Sequence, residues 1–502
     1  MAEGQIADVC IILEGSYPYV AGGISTWTHE LLRSQPDLTF HLVCLLPPKG
    51  MGEMKYQLPS NVIGLTNIVL QKLPTGVPSL DKKTSEDLFR SLELPLLTLQ
   101  HRASLKVLRK IMEALKRPGV PLGAEVLLES PDAWNMLVRM YLETMSESSF
   151  LNYFWTWRGT LGGFYSVLLG DLPECRIYHT LCTGYAGLYL TRAHLETGRP
   201  AIITEHGIYT NERRIEITAA SWLDDARGSN LSISKPRYER DLKDYWIDSF
   251  AGYSKLAYEC STKIITLYEG NQELQLMDGA DPEKMLIIPN GIDYPRYSVI
   301  ERIPQDRPTI ALIGRVVPIK DIKTYINACS ILKAKIPNLQ AYVMGPTDED
   351  PAYYQECVLL AKHLGLDNIL TFTGKVKIAD YLPKIDVGVL TSISEAQPLV
   401  MLEAGAVGIP SVATDVGACR EMIFGRANEY PPLGQAGDIV SLSNPEQVAD
   451  AVYKLLTDKP YYDKCCIAMK KRVEAYYQVA AQGAAYKEIY EGLLQPTVAL
   501  ST

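Results

Sequence analysis

The chain has 502 residues, 47% of them hydrophobic and 21% charged, and a net charge of −9. That length is too great for one ordinary core and suggests two or three domains of a globular protein. The acidity argues against a nucleic-acid-binding surface, but it leaves room for a local basic cleft.

Ala7 to Leu13 is an apolar run expected to form the first strand. The turn Gly22-Gly23 and a helix from Ser25 to Ser34 follow, then extended runs at Phe40 to Leu46 and Asn61 to Leu70. From about Leu80 to Glu147 the sequence turns helical and charged. Leu88, Phe89 and Leu92 form one apolar stripe, and Leu105, Leu108 and Ile111 another. This segment reads as an insertion that either packs on the N-terminal domain or docks a partner. Strands resume at Arg176 to His179 and at Pro200 to Thr204. The polar stretch Tyr209 to Tyr245 reads as a long loop, either a lid or a plain surface insertion. Tyr294 to Pro308, with three prolines, reads as the domain linker. The second half is more regular. Strands are expected at Thr309–Ile313, Gln340–Met344, Ile369–Phe372, Asp386–Leu390, Ser411–Ala413 and Asp438–Val440, with helices between them. A final helix is expected from about Ala468 to Leu494. Strands that alternate with helices predict an α/β protein with parallel sheets covered on both faces.

Several classes are disfavoured. No Gly-x-Gly-x-x-Gly is present, which weighs against a nicotinamide dehydrogenase, and there is no Walker A segment. The ten cysteines form no Cys-x-x-Cys pair and read as buried reduced thiols. Asp348-Glu349-Asp350 reads as a solvated turn and a helix cap, so no metal is expected. No run approaches the ~18 apolar residues of a membrane span, and the start lacks a basic leader, so a cytoplasmic protein is expected.

Two glutamates carry the most information. Glu395 and Glu403 bracket a segment that follows the strand ending at Leu390. Pro398, Leu399 and Val400 lie between them, where a helix start is expected. The free N–H groups of such a start suit a diphosphate, with Glu403 placed for ribose hydroxyls and Glu395 for sugar hydroxyls. Eighty residues upstream, Arg315 and Lys320 flank the turn after the strand Thr309–Ile313. In an open α/β sheet, ligands sit beyond the carboxyl ends of the strands, and two cations there would neutralise a diphosphate. Gly22 and Gly23 allow a close backbone approach in the first half.

The Gly-Arg-x4-Lys turn and the Glu-x7-Glu segment resemble the C-terminal half of retaining GT-B glycosyltransferases of family four. Thr204-Glu205-His206-Gly207 and Asn290-Gly291-Ile292-Asp293 extend the resemblance over nearly the whole chain. More narrowly, the start from Leu13 to Val20, His179 and the helical insertion resemble the glycosyltransferases of Pel exopolysaccharide synthesis. The resemblance implies a GT-B fold, two Rossmann-like domains facing a central cleft. The domains would span 1–300 and 301–475, with 476–502 crossing back to the first. It also implies a UDP-sugar donor, a polysaccharide acceptor, no cofactor or metal, and recruitment to an inner-membrane complex. His206 would lie near the reaction centre, His179 on the acceptor side, and Val376 near the base. The family often has a glycine and an aromatic where this chain has Gln397 and Pro398. Other readings are a GT-B sugar-nucleotide epimerase, a phosphorylase, or a non-catalytic sugar-nucleotide-binding subunit.

Overall fold

A computed structural model describes residues 6–219 and 241–495. They form two compact units. The first holds the described residues up to Thr266, Gln272–Leu286 and those from Lys487 onward. The second holds Leu267–Asn271 and Ile287–Tyr486.

The chain begins with β1 (Ala7–Glu14), α1 (Gly23–Ser34), β2 (Phe40–Leu46) and β3 (Val62–Val69). A helical block follows, comprising α2 (Lys82–Arg102), α3 (Leu105–Lys116), α4 (Ala124–Leu127), α5 (Pro131–Thr144) and α6 (Phe150–Leu169). Then come β4 (Cys175–Thr180), α7 (Tyr185–Thr197), β5 (Ala201–Glu205), α8 (Tyr209–Ala219) and α9 (Leu242–Cys260). β6 (Lys263–Thr266), α10 (Glu269–Met277) and β7 (Met285–Ile287) complete the series. The strands form one sheet in the order β3-β2-β1-β4-β5-β6-β7. β1 sits between the parallel strands β2 and β4 and is buried except at Asp8 and Glu14, so its apolar run is nearly continuous.

The helical block extends to Leu169, beyond the expected Glu147. Its helices have clear start signals: Asp81, Ser104, Ser130 and Ser149 each accept a backbone N–H of the first turn. Leu88, Phe89, Leu92, Leu108 and Ile111 lie in one core with Cys10, Ile12 and Val43 of the sheet, and Leu105 packs against it. The stripes are therefore filled by the first unit itself. Burying each such side chain contributes about 1.5–3 kcal/mol.

Two expectations fail nearby. The strands β6 and β7 were not foreseen, being only four and three residues long. The stretch Tyr209 to Tyr245 is helical at both ends, in α8 and in α9, which Asp241 and Asp244 start with a capping box. Residues 220–240, the remainder of the expected lid, lie outside the described residues.

The second series runs α11 (Tyr294–Ser298), β8 (Thr309–Ile313), α12 (Ile322–Lys335), β9 (Gln340–Met344), α13 (Pro351–His363) and β10 (Leu370–Gly374). It continues with β11 (Val387–Leu390), α14 (Leu399–Ala406), β12 (Ser411–Thr414), α15 (Cys419–Phe424) and β13 (Gly437–Val440). α16 (Pro445–Thr457), α17 (Lys459–Tyr476) and α18 (Val479–Leu494) end it. The strands pair in parallel in the order β10-β9-β8-β11-β12-β13. Asn444 and Asp350 cap α16 and α13, each followed by a proline at the first helical position.

The expected linker Tyr294 to Pro308 is instead part of the second unit, whose boundary falls at Ile287. Tyr294 is buried in that unit's core, and the Arg302 guanidinium donates to Asp386 at 2.8 Å, which anchors the segment despite its prolines. The long final helix is two helices. The break falls at Tyr477 and Gln478, where Ile292 forms a parallel bridge: its N–H donates to Tyr477 O at 2.9 Å, and Val479 N–H donates to Ile292 O at 2.9 Å. No local breaker marks this, because a distant strand-like segment imposes it. From Lys487 onward α18 belongs to the first unit, so the divisions fall at 286/287 and 486/487 rather than at 300 and 475. There Tyr490 stacks edge-on to Phe40, and the Lys487 ammonium pairs with Asp37. All ten cysteines are free thiols, and eight are buried.

Candidate functional site

β8 and β11 are neighbours, and the chain leaves them in opposite directions, β8 toward β9 and β11 toward β12. The crevice beyond their carboxyl ends is therefore the switch point at which open α/β sheets bind ligands. Lys320 ends a short turn after β8. Asp321 follows in the left-handed region at φ 44°, which a short polar side chain tolerates, and accepts Thr324 N–H to start α12. Glu395 lies in the loop after β11. The Lys320 ammonium donates to Glu395 Oε1, and Ser392 Oγ donates to the same oxygen at 2.6 Å.

Further bonds stitch the two loops together. Thr391 Oγ1 donates to the carbonyls of Lys320 and Asp321 at 3.0 and 2.9 Å, and Ile393 N–H donates to Ile319 O at 2.8 Å. Gly417, at φ +52°, backs the Glu395 loop. A Cβ there would stand 2.3 Å from the carbonyl oxygens of both Glu395 and Ala396. The Lys320 and Glu395 side chains are 20% and 12% exposed, so the pair is held in a largely enclosed, ordered position.

Arg315 is placed differently. Its guanidinium pairs with Glu349 on the connection from β9 to α13, and both side chains are about half exposed. Asp350 caps α13 through Tyr353 N–H at 3.0 Å. Pro398 is the cap of α14 and offers no side-chain acceptor, so the first N–H groups of that helix, at Leu399 and Val400, gain none from it. Glu403 lies one turn on. Tyr297 donates to its carboxylate at 3.0 Å. Burial pushes the Glu403 carboxyl above its ordinary range, against the pull of Tyr297 and Arg296. Burial, and then Glu403, push the Tyr297 hydroxyl up to about 12. Val376 is half-buried in the loop after β10. Gln397 is buried, and its side chain grips one residue by both ends: it accepts from Asn290 N–H at 2.9 Å and donates to Asn290 O at 3.1 Å.

In the first unit, Gly22 caps α1 and Gly23 opens it. A Cβ at either would meet nothing within 4 Å, so the backbone there is openly accessible. His206 follows β5 and packs edge-on against Trp27, with ring centroids 4.7 Å apart; burial lowers it to about 4. His179 does not line an acceptor surface. It is fully buried, its Nδ1 lies 2.7 Å from the Tyr490 hydroxyl, and its Nε2 lies 2.9 Å from Thr204 Oγ1. Burial, with the neighbouring His206, lowers it to about 3, so it is a neutral core histidine.

The site thus brings Lys320 together with Glu395, while Arg315 engages Glu349 and Glu403 engages Tyr297. Ser392, Thr391 and Tyr297 were missed, and Gln397 was named only as a departure from the family's pattern. Ser392 was within reach of sequence reasoning, since it lies three residues before Glu395 in the same loop. Tyr297 was not, because 106 residues separate it from Glu403.

Residues 7–283 match the family model described as a domain of unknown function, DUF3492, which covers more than half of the chain. The chain belongs to the DUF3492 family. Residues 307–458 match a second model, glycosyl transferases group 1. That match spans β8 through α16 and so contains Arg315, Lys320, Glu395 and Glu403. Among curated proteins, the D-inositol 3-phosphate glycosyltransferase 2 of Catenulispora acidiphila is 29% identical over 38% of this chain and 46% of its own length. The chain thus spans less than half of that relative. The D-inositol 3-phosphate glycosyltransferase of Thermobispora bispora is 24% identical over 67% of this chain and 79% of its own length. Among solved structures, Anabaena Alr3699/HepE in complex with UDP superposes with a TM-score of 0.58 at 12% identity, covering 97% of this chain and all of that one. The sucrose-phosphate synthase of Thermosynechococcus elongatus gives 0.56 at 16% identity, covering 97% and 99%. These likenesses show the fold, GT-B, with two parallel-sheet Rossmann-like domains.

Proposed function

We propose that this DUF3492 protein is a retaining glycosyltransferase that moves a hexose from a UDP-sugar to a growing polysaccharide. The observation that carries the reading is the Lys320–Glu395 pair, braced by Ser392 at the switch point of the segment that matches glycosyl transferases group 1. The Anabaena protein of the same fold is described in complexes with UDP and with UDP-glucose, which favours a uridine donor. The N-terminal resemblance to PelF further suggests Pel exopolysaccharide as the product, with cytoplasmic work at the inner face of the membrane and recruitment by a membrane complex. Among the described residues, no helix is long and apolar enough to cross a membrane.

In this reading, cleavage of the donor places added negative charge on the leaving diphosphate. Lys320 has three N–H donors; one engages Glu395, and two remain for phosphate oxygens. Arg315 and the first N–H groups of α14 supply further stabilisation, which strengthens as the charge develops. Glu395 holds donor hydroxyls, and Glu403 holds the ribose. The acceptor attacks from the face the leaving group vacates, and the leaving phosphate accepts its proton. No carboxylate nucleophile, cofactor or metal enters.

A donor panel tests this, read as nucleoside diphosphate release with and without an oligosaccharide acceptor. One UDP-hexose should release UDP, faster with acceptor. UDP binding with no turnover of any donor would favour a binding subunit instead, and an interconverted sugar nucleotide would favour an epimerase.

A further inference from the structure

The first unit carries a groove of about 560 Å³ between the second half of α1 and the connection from β2 to β3. Its lining includes His29, Arg33, Lys55, Tyr56 and Asn61, and none of its ten lining residues is acidic. Arg33 and Lys55 are exposed, and among the described residues neither takes part in an ion pair. Two cations that form no ion pair among the described residues stand out in a chain of net charge −9, although Glu30 lies one turn before Arg33 on α1. Arg33 alone has an ordinary explanation, as a cation in the last turn of α1. Lys55 lies on no helix, so that explanation does not cover the pair.

The wall of the groove is fixed at several points. Lys55 N–H donates to Pro18 O at 2.8 Å, and the Tyr56 hydroxyl lies 3.2 Å from Thr26 Oγ1. The Asn61 amide donates to the carbonyls of Leu32 and Gln35 at 2.8 and 2.9 Å, clamping the far end of the connection onto the end of α1. Tyr56 also packs on Tyr17 and His29, with ring centroids 5.1 and 5.3 Å apart. The aromatic ring and the backbone that carries Lys55 are thus held in place before any ligand arrives, which lowers the cost of binding. His29 and Arg33 lie six and ten residues past Gly23, roughly 9 and 15 Å along the helix at 1.5 Å per residue. The end of the groove at Arg33 is therefore removed from the Gly22-Gly23 turn, while its Tyr56 end reaches Thr26, three residues past Gly23.

We propose that this groove is a second, non-catalytic binding site for an acidic sugar. A ring packs against the tyrosine, and an anionic group is held by Arg33 and Lys55. A planar guanidinium with an ammonium beside it suits either a carboxylate or a phosphate. The shared chemistry is a saccharide bearing an anion, and the experiment separates its two sources.

Saturation-transfer NMR and calorimetry on the full chain provide the test, with glucuronate, glucose 6-phosphate, glucose and inorganic phosphate as probes. At least one of the two acidic sugars should bind at least about tenfold more tightly than glucose, a gap of about 1.4 kcal/mol. Which one binds identifies the source of the anion. Arg33→Glu combined with Lys55→Glu should abolish that binding while leaving the melting temperature and UDP affinity unchanged. Tyr56→Ala should weaken the sugars but not inorganic phosphate. Inorganic phosphate binding as tightly as the acidic sugars, undiminished binding in the charge-reversed variant, or no binding of either acidic sugar at about 10 mM, where even an affinity of a few kcal/mol registers, overturns the proposal. UDP affinity reports separately on the second unit, so failure here leaves the proposed transferase reading untouched.

Discussion

Arg315 is paired with Glu349, so in the proposed reading a phosphate must compete for it. An exposed pair of this kind contributes about 0–1 kcal/mol. Glu349→Gln should therefore tighten UDP binding, by up to about fivefold. Arg315→Ala and Lys320→Ala should each weaken it by about ten- to a hundredfold, the loss of one charged contact. Calorimetry that finds Glu349→Gln weaker than wild type would show that Arg315 is positioned by Glu349 rather than occupied by it. The same charge arrangement leads to a second expectation, that EDTA leaves turnover unchanged; activity lost to EDTA and restored by magnesium would sink it. Glu403 gives a pH signature. Its carboxyl is held above 4.5 by burial, so the unfolded chain ionises first as pH rises. Stability from this group is full below that value and falls as pH climbs toward the raised value in the fold. Glu403→Gln should remove the fall and keep an acceptor for Tyr297. Thermal melts should show the variant gaining on wild type between acid and neutral pH, and a constant difference would exclude Glu403 as the source.

The parallel strands of the second sheet could be read closely from sequence because they are buried on both faces and bounded by proline or glycine. β8 and β9 have the expected ends. The loops between them were legible as chemistry but not as geometry. Glu395 and Lys320 stand out by residue type, but the bonds through Ser392 and Thr391 exist only once two strands lie side by side. The histidine at the end of β4 shows the opposite error. A polar residue closing a strand resembles a ligand, and only the hydroxyl of Tyr490, 311 residues away, reveals it as core. Helix α17 holds a similar hidden dependence. Arg472 is 1% exposed and pairs with Glu429, and it also donates to the carbonyls of Met422, Ile423 and Gly434. It therefore closes the end of α15 from a distance. Burial pushes the Glu429 carboxyl up, but the bonds from Arg472 and from Leu433 N–H outweigh this and hold it below the usual range. Arg472→Leu leaves that carboxylate without its hydrogen-bonded cation and should cost about 3–5 kcal/mol. Denaturant melts showing a loss under about 1 kcal/mol, the worth of an exposed pair, would contradict this.

At the scale of the whole chain, the last turns of α18 belong to the first unit. Tyr490 is fully buried there, against Phe40 and His179. Tyr490→Ala should destabilise that unit by about 3–5 kcal/mol, the usual cost of emptying an aromatic site. Hydrogen exchange should quicken in β1, β2 and β4 and stay unchanged in β8, β9 and β11. Uniform quickening would mean that the two units open together.

That placement also sets an order of events during synthesis. The ribosome finishes the sheet residues of the first unit at Leu286, yet the part of α18 that joins that unit begins only at Lys487. The intervening stretch of roughly 200 residues takes about 10–40 s to make at about 5–20 residues per second. Through that interval the nascent first unit exposes the seat of Tyr490, and the second unit can fold ahead of it. A protein that emerges N-terminus first is thus completed in the reverse order, and its earlier half gains its last buried aromatic only when the final helix arrives.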